Sequence, residues 1–356
     1  MTASDEARDE YARRAAGYRR NERLEALLEE LNAALALGEA PLLDRVQAPR
    51  WPVVFVVGVP RSGTTVVLQC LARSGLVAWP SNLLARFYRA PYLGARIQQM
   101  LTDPVYRFRD EFAELEAGTG GLRSDLGKTR GLLAPNEFWY FWRRFFPEPA
   151  EDWARAERRG LEPAARFAAE LALLERAFGR PFALKAMIAN WNIPYLDRLL
   201  PRAVFVHVRR DPRFNAQSLI EARERFYGDR HAWYSFRPPE YPWLRRLDPL
   251  EQVAGQVLLT RRAVDAALAA LPPERRLAID YEAFCSRPQR LIEALCERFH
   301  RQGFDASPPT PDGASPQAIR CADHWRLAAA DRRRLEAALE RFSDPAQTAA
   351  RWGVAS

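Results

Sequence analysis

Lysine is almost missing from this chain. Of its 53 basic residues only Lys128 and Lys185 are lysines, and the other 51 are arginines. A lysine kept against that bias marks a position whose chemistry an arginine does not serve. Cysteine is scarce too. Cys70, Cys285, Cys296 and Cys321 show no CxxC spacing, which argues against zinc or disulfides and for buried free thiols in a reducing compartment. The four histidines are scattered and form no HExxH. Long apolar runs are absent as well: Val53–Val57 is far too short to cross a bilayer. The N-terminus carries Asp5, Glu6, Arg8, Asp9 and Glu10 without an apolar h-region, so a secretory leader is not expected and a cytoplasmic location is.

What is present suits an ordinary globular chain. It has 356 residues, 48% apolar and 28% charged, enough for a sizeable core. The net charge of +8 favours acidic small molecules, anionic polymers or nucleic acid as partners without choosing among them. Residues 1–50 read as an N-terminal helical segment. Within it, 8–37 form an amphipathic helix with Tyr11, Ala15, Tyr18, Leu24, Leu27, Leu28 and Leu31 along one stripe, packed on the body or on a second subunit. Val53–Val57, a continuous apolar run, reads as a buried parallel strand, and Phe182–Leu184, Ala203–Val208 and Leu277–Asp280 read as further strands alternating with helices. The expected fold is α/β, a P-loop-type parallel sheet flanked by helices, spanning 51–300 with a helical insertion at 76–180 and a lid-like loop at 222–249. Residues 301–356 read as a C-terminal helical tail.

Gly58-Val59-Pro60-Arg61-Ser62-Gly63-Thr64-Thr65 lies between a buried strand and a helix, the context a phosphate-binding loop requires. Its backbone N–H groups and the helix N-terminus form a concavity for an anion. The G-x4-G spacing matches nucleotide-binding loops, but the lysine that reaches the outer phosphates of a triphosphate is replaced by Thr64. Asp211 is the one acid near the strand ends that suggests a magnesium ligand. The loop therefore suits a 5′-phosphate without a metal, with Arg61 supplying the charge. The bland alternative is an ordinary glycine-containing turn. After the third strand, Arg210 and Ser218 face the crevice at the strand ends, and an arginine with a hydroxyl is a phosphate clamp. Two phosphate sites separated by one nucleoside suggest a 3′,5′-bisphosphate nucleotide.

Val-Gly-Val-Pro-Arg-Ser-Gly-Thr-Thr, followed by Val-His-Val-Arg-Arg-Asp-Pro-Arg-Phe-Asn-Ala-Gln-Ser, resembles the sulfotransferase superfamily, in its bacterial and tyrosylprotein sulfotransferase-like branch. The resemblance covers roughly 52–75 and 181–300. It implies 3′-phosphoadenylyl sulfate (PAPS) as sulfuryl donor and adenosine 3′,5′-bisphosphate (PAP) as product, with no metal. By resemblance, Arg61, Ser62, Gly63, Thr64 and Thr65 bind the 5′-phosphosulfate, Arg210 and Ser218 bind the 3′-phosphate, and Tyr281 lies near the adenine. Lys185 ends a strand as the family's catalytic lysine does, and its compact ammonium can follow a moving charge.

The general base departs from the family pattern. Met187 stands where cytosolic relatives carry a histidine, and Trp79-Pro80-Ser81-Asn82 where tyrosylprotein relatives carry a glutamate. Glu137, set against Phe138 and Trp139, is the best replacement, since a desolvated carboxylate makes a stronger base. Asp125 and Asp110 are reserves, and Asn136 departs from a His-Glu pair of some bacterial relatives. The aromatic run Phe138–Phe146 suits either an acceptor pocket or the core. Residues 223–246, with six arginines and seven aromatics, suit a lid, and Arg320, His324 and Arg326 suit closure over the donor. The expected acceptor is a small molecule, glycan, lipid or peptide tyrosine hydroxyl, or an amine. No nucleic-acid partner is expected, and a homodimer is left open. A P-loop kinase or NTPase and a non-enzymatic polyanion binder are the competing readings, along with a sulfotransferase fold that has lost activity.

Overall fold

The structure, a computed structural model, describes residues 13–106, 124–125, 128–146, 162–306, 319–321 and 323–344. In chain order, the N-terminal segment forms helix α1 (Glu22–Leu43). Strand β1 (Val53–Gly58) and helix α2 (Thr64–Arg73) flank the glycine-rich loop. The insertion contributes α3 (Pro91–Thr102), a two-stranded ribbon of β2 (Ser124–Asp125) and β3 (Lys128–Thr129), the one-turn α4 (Trp139–Trp142) and α5 (Ala164–Phe178). The second half runs β4 (Ala183–Lys185), α6 (Ile193–Leu199), β5 (Ala203–Arg209), α7 (Pro212–Tyr227), α8 (Tyr241–Leu244) and α9 (Pro249–Ala269). It ends with β6 (Arg276–Asp280), α10 (Tyr281–Ser286), α11 (Gln289–Arg301) and α12 (Ala329–Ser343).

The sheet is parallel in the order β4-β1-β5-β6, and a single bridge, Ala78 to Phe182, continues it beyond β4. The first strand thus lies inside the sheet, and the chain leaves it first toward β4 and later toward β5. That reversal is where open α/β sheets bind ligands. The expected mainly parallel sheet, flanked by helices and carrying a helical insertion, is present. Both faces of β1 are covered, which is why it reads as a continuous apolar run. Val53, Phe55 and Val57 pack with Phe205, the aromatic run and α5. Val54 and Val56 pack on the other face with α2, α10 and α11. A third cluster joins α7, α9 and α12 around Leu219, Val253 and Phe342.

The N-terminal helix differs from the expected stripe. It starts at Glu22, with the Asn21 side chain capping Leu24 N–H at 3.2 Å. Residues 1–12 lie outside the described residues. Leu27 is 60% and Leu31 37% exposed, whereas Leu28, Asn32 and Glu39 are buried. The helix is turned to use polar hooks. Asn32 donates to the Leu28 and Arg86 carbonyls and accepts from Arg89 N–H, and Glu39 accepts from Leu93 N–H at 2.9 Å. The hooks tie the helix to the body at the entry to α3.

Burial raises Glu39 to about 7. The folded state then binds more protons than the unfolded one between about pH 4.5 and 7, so this group makes stability fall as pH rises through that window. At full ionisation the penalty is about 3 kcal/mol. Glu39→Gln keeps an acceptor for Leu93 N–H and should raise stability at about pH 8, with little effect near pH 4. Urea midpoints at the two pH values check this.

Candidate functional site

The loop after β1 turns sharply at two glycines. Gly58 has φ +137°, and a Cβ there would lie 2.7 Å from the Val208 carbonyl oxygen; Gly63 has φ +99°, and a Cβ there would lie 2.3 Å from the Tyr281 ring. Between them Arg61 also adopts a left-handed φ of +70°, a conformation non-glycine residues hold only when their surroundings enforce it. Here they do. Arg210 Nη1 donates to Arg61 O at 2.8 Å, Asn215 Nδ2 to Pro60 O at 2.6 Å, and Arg61 Nε to Ser218 Oγ at 3.0 Å. Asn190 holds the start of the loop through both Gly58 N–H and Gly58 O. The helix ladder begins with Val67 N–H on Gly63 O, so the first-turn N–H groups have no carbonyl of their own helix to bind. Ser62 Oγ is buried and has no hydrogen-bond partner in the described structure. Backbone N–H groups gathered at a helix N-terminus are an arrangement that suits an anion. Gly63→Ala should cost roughly 2–4 kcal/mol through backbone strain and the Tyr281 clash, read as a lowered denaturation midpoint.

Lys185 ends β4 beside the loop. Its Nζ donates to Thr65 Oγ1 at 2.9 Å and to Glu137 Oε1 at 2.5 Å. The lysine side chain is 6% exposed and that of Glu137 44%. Ala186 N–H on Val56 O and Trp142 Nε1–H on Lys185 O fix the strand end. Lys185, Thr65 and Glu137, each named from the sequence as a site residue, therefore meet at one point. The surroundings of Glu137 differ from expectation, because its carboxylate pairs with an ammonium at a half-open surface and is not walled in by rings. The rings went elsewhere: Phe138, Phe141, Trp142, Phe145 and Phe146 are core, which corrects the acceptor-pocket reading for them. Trp139 meets the lid-like segment, its ring centroid 5.5 Å from that of Phe236. Thr64 turns its hydroxyl to Met187 Sδ at 3.4 Å.

Arg210 points at the loop, as its contact with Arg61 O shows, and its guanidinium lies 5.0 Å from the Tyr281 ring centroid. The other side of the guanidinium is held by Asp323, whose Oδ1 accepts from Arg210 Nε at 2.9 Å and from Nη2. Asp323 was not foreseen, and neither were Asn190, Asn215 and Gln217. Gln217, one residue before Ser218, donates to His324 O and accepts from Arg326 N–H and Leu327 N–H. The Arg326 guanidinium lies on Glu221, not on the loop. Arg320 is exposed. Burial, and then the Cys285 thiol, push the Tyr281 phenol above its ordinary value. Burial and the neighbouring Asp323 raise Glu282. Burial lowers the Arg61 guanidinium, Tyr234 opposes that shift and the Arg210 charge adds to it. Asp211 caps α7 through Arg213 N–H, and the Arg213 guanidinium outweighs burial to hold its carboxyl below the usual range. Its carboxylate is thus committed to a cap and an ion pair, against the magnesium-ligand reading.

The lid-like segment packs on its own rings. Arg223 is fully buried, stacks 5.0 Å from the Trp233 ring centroid and donates to Gln252. A cavity of about 720 Å³ adjoins Arg210 and is lined also by Arg213, Arg261, Asp280, Glu282 and Glu336; the loop residues do not line it. Of the four thiols, Cys70 and Cys285 are buried, Cys296 is partly buried and Cys321 is exposed, so the buried-thiol reading fails for the last. Ser124 and Asp125 pair with Thr129 and Lys128 in the ribbon. Asp110 lies outside the described residues. No helix of the described residues is long and apolar enough to cross a membrane.

Against known proteins, the profile of the sulfotransferase family matches residues 52–305, running through the insertion that the motif resemblance did not reach. No curated protein matches. Similar solved structures include a sulfotransferase from Mycobacterium tuberculosis H37Rv, 16% identical over 77% of this chain and 73% of that one, with a TM-score of 0.48. A sulfotransferase from Mycobacterium avium is 16% identical over 77% and 67% of the two chains, with a TM-score of 0.42. The sulfotransferase domain from the curacin biosynthetic pathway is 17% identical over 73% and 77%, with a TM-score of 0.40.

Proposed function

Because this chain belongs to the sulfotransferase family, we propose that it moves a sulfuryl group from PAPS to a hydroxyl or amine acceptor by in-line transfer. The observation that carries the reading is the contact of Lys185 with both Thr65 of the loop and Glu137. It sets a cation, a loop hydroxyl and a carboxylate around one point at the mouth of an anion cradle. The loop N–H groups, Arg61 and Thr65 hold the 5′-phosphate. Arg210 and Ser218, both against residue 61, hold the 3′-phosphate, and Tyr281 flanks the adenine.

In the transfer the bond between sulfur and the phosphate oxygen breaks as a bond from sulfur to the acceptor atom forms. Negative charge grows on the departing phosphate, where Arg61 and Lys185 stabilise it. The acceptor proton passes to Glu137, whose half-exposed carboxylate is open to an incoming substrate. The sulfuryl group carries less charge than a phosphoryl group, so fixed side-chain cations serve the step.

The acceptor is best sought by incubating the protein with labelled PAPS and panels of phenols, sugars, lipids and amines. With an acceptor in hand, Glu137→Gln should lower kcat by about 10²–10⁴-fold and leave PAP affinity within about twofold. An unchanged rate removes Glu137 from the proton transfer.

A further inference from the structure

Glu137 lies in neither a helix nor a strand. It stands one residue before Phe138, whose backbone is left-handed with φ +55°. A bulky residue stays there only where other contacts outweigh the strain. Two asparagines supply those contacts. Asn136 Oδ1 accepts from Phe138 N–H at 2.8 Å, and Asn136 Nδ2 donates to Asn82 Oδ1 at 2.7 Å. Asn82 Nδ2 in turn donates to Gly131 O at 2.8 Å. Main-chain bonds clamp the same place, from Asn136 N–H to Pro80 O at 2.7 Å and from Asn82 N–H to Ala134 O at 3.0 Å. An N–H only donates and a carbonyl only accepts, so Phe138 and Gly131 fix which way each amide faces. The Phe138 ring is buried and stacks on Phe141, with centroids 4.4 Å apart.

We propose that Asn136 and Asn82 are positioning residues for Glu137. Together they hold the turn that sends the Phe138 ring into the core and the Glu137 carboxylate to Lys185. The inference rests on the reading of Glu137 as the base for the acceptor proton. The Glu137 side chain is half-exposed, so close packing does not aim it, and its direction comes from the backbone on either side. Asn136 pins both sides, the one before through its own N–H and the one after through its amide. Without that amide Phe138 is free to leave the left-handed region, and the turn carries Glu137 off Lys185. Among the described residues neither asparagine hydrogen-bonds to the loop at 58–65, so donor binding is separable from the aim of the base.

The contact these residues control can be read without an acceptor. Lys128 and Lys185 are the only lysines in the chain. Brief treatment of the full chain with acetic anhydride, followed by peptide mass spectrometry, therefore scores Lys185 against Lys128 as an internal reference. An ammonium held by a carboxylate is a poor nucleophile. Glu137→Gln should speed Lys185 acetylation by about tenfold, the scale of a hydrogen bond to a charged group. Asn136→Ala should speed it nearly as much, and adding Glu137→Gln to it should change little more. Asn136→Ser keeps a hydroxyl acceptor for Phe138 N–H and should restore most of the slow labelling. Asn82→Ala leaves Phe138 N–H its partner, so it should speed labelling by a smaller factor; it serves where Asn136→Ala does not fold.

PAP affinity, titrated calorimetrically, should stay within about twofold in the asparagine variants. With an acceptor, Asn136→Ala should lower kcat by up to about 10²-fold, the scale of a misplacement of about 1 Å, and leave the KM for PAPS unchanged. Slow labelling in Asn136→Ala beside fast labelling in Glu137→Gln overturns the positioning role. So does a double variant whose gain is the product of the two single gains, the mark of two independent effects. Labelling that Glu137→Gln does not speed overturns it as well, because the ion pair to be positioned would then be missing in solution. An unchanged kcat in Glu137→Gln overturns the base reading and with it the catalytic purpose of the turn, while the labelling still judges the turn by itself.

Discussion

Lys185→Ala should lower kcat by about 10²–10³-fold, the usual loss when one preorganised donor to a developing charge is removed. PAP affinity should change far less. The ammonium is 6% exposed and is held by Thr65 and Glu137, so it acts with little reorganisation and little solvent screening. Folding should suffer modestly, because the Glu137 carboxylate left behind is 44% exposed and can be hydrated. Lys185→Arg should not restore the rate. The position lies against Val56 and Trp142, and a planar guanidinium cannot follow the charge as a compact ammonium does. Steady-state kinetics with the PAPS concentration varied separates kcat from KM. A loss confined to KM would make Lys185 a donor-binding residue only.

Arg210→Ala should weaken PAP binding by about 10²-fold or more, since it removes a charge-assisted contact and relaxes the loop at once. The guanidinium supports Arg61 O, stacks on Tyr281 and neutralises Asp323. Removing it leaves Asp323 buried and unpaired, which costs roughly 3–5 kcal/mol of stability in comparable sites. The double substitution Arg210→Ala with Asp323→Ala separates the two effects: it should recover much of the stability and none of the PAP affinity. Recovery of both would mean that Arg210 serves the fold alone.

The sheet was legible in the sequence because strands buried on both faces cannot hide. Val53–Val57 carries apolar residues at every position, and Ala203–Val208 at every position but His207. Asp211-Pro212 announced α7 because a capping acceptor followed by a first-turn proline has few other uses. Lys185 stood out against the arginine bias and by its place at a strand end, but its contact with Glu137, 48 residues away, followed no local rule. The N-terminal helix was misread because Asn32 and Glu39 are buried by hydrogen bonds that hydrophobic periodicity does not register. The aromatic run was ambiguous for the opposite reason, since rings fill a core more often but can also line a pocket. Asp323 was out of reach: it meets Arg210 across 113 residues, in a segment without periodicity, and a lone aspartate carries no signature of the cation it will neutralise.

On the proposed reading, the loop at residues 58–65 and the Arg210 side chain together hold one nucleotide by two phosphates. The direct measurement is calorimetric titration of the reduced protein with PAP in a metal chelator, set beside ATP with magnesium. Saturable one-to-one PAP binding is expected, unimproved by magnesium and exceeding ATP binding by at least about tenfold, or about 1.4 kcal/mol. Tighter binding of magnesium-ATP, or no PAP binding in chelator, would contradict it.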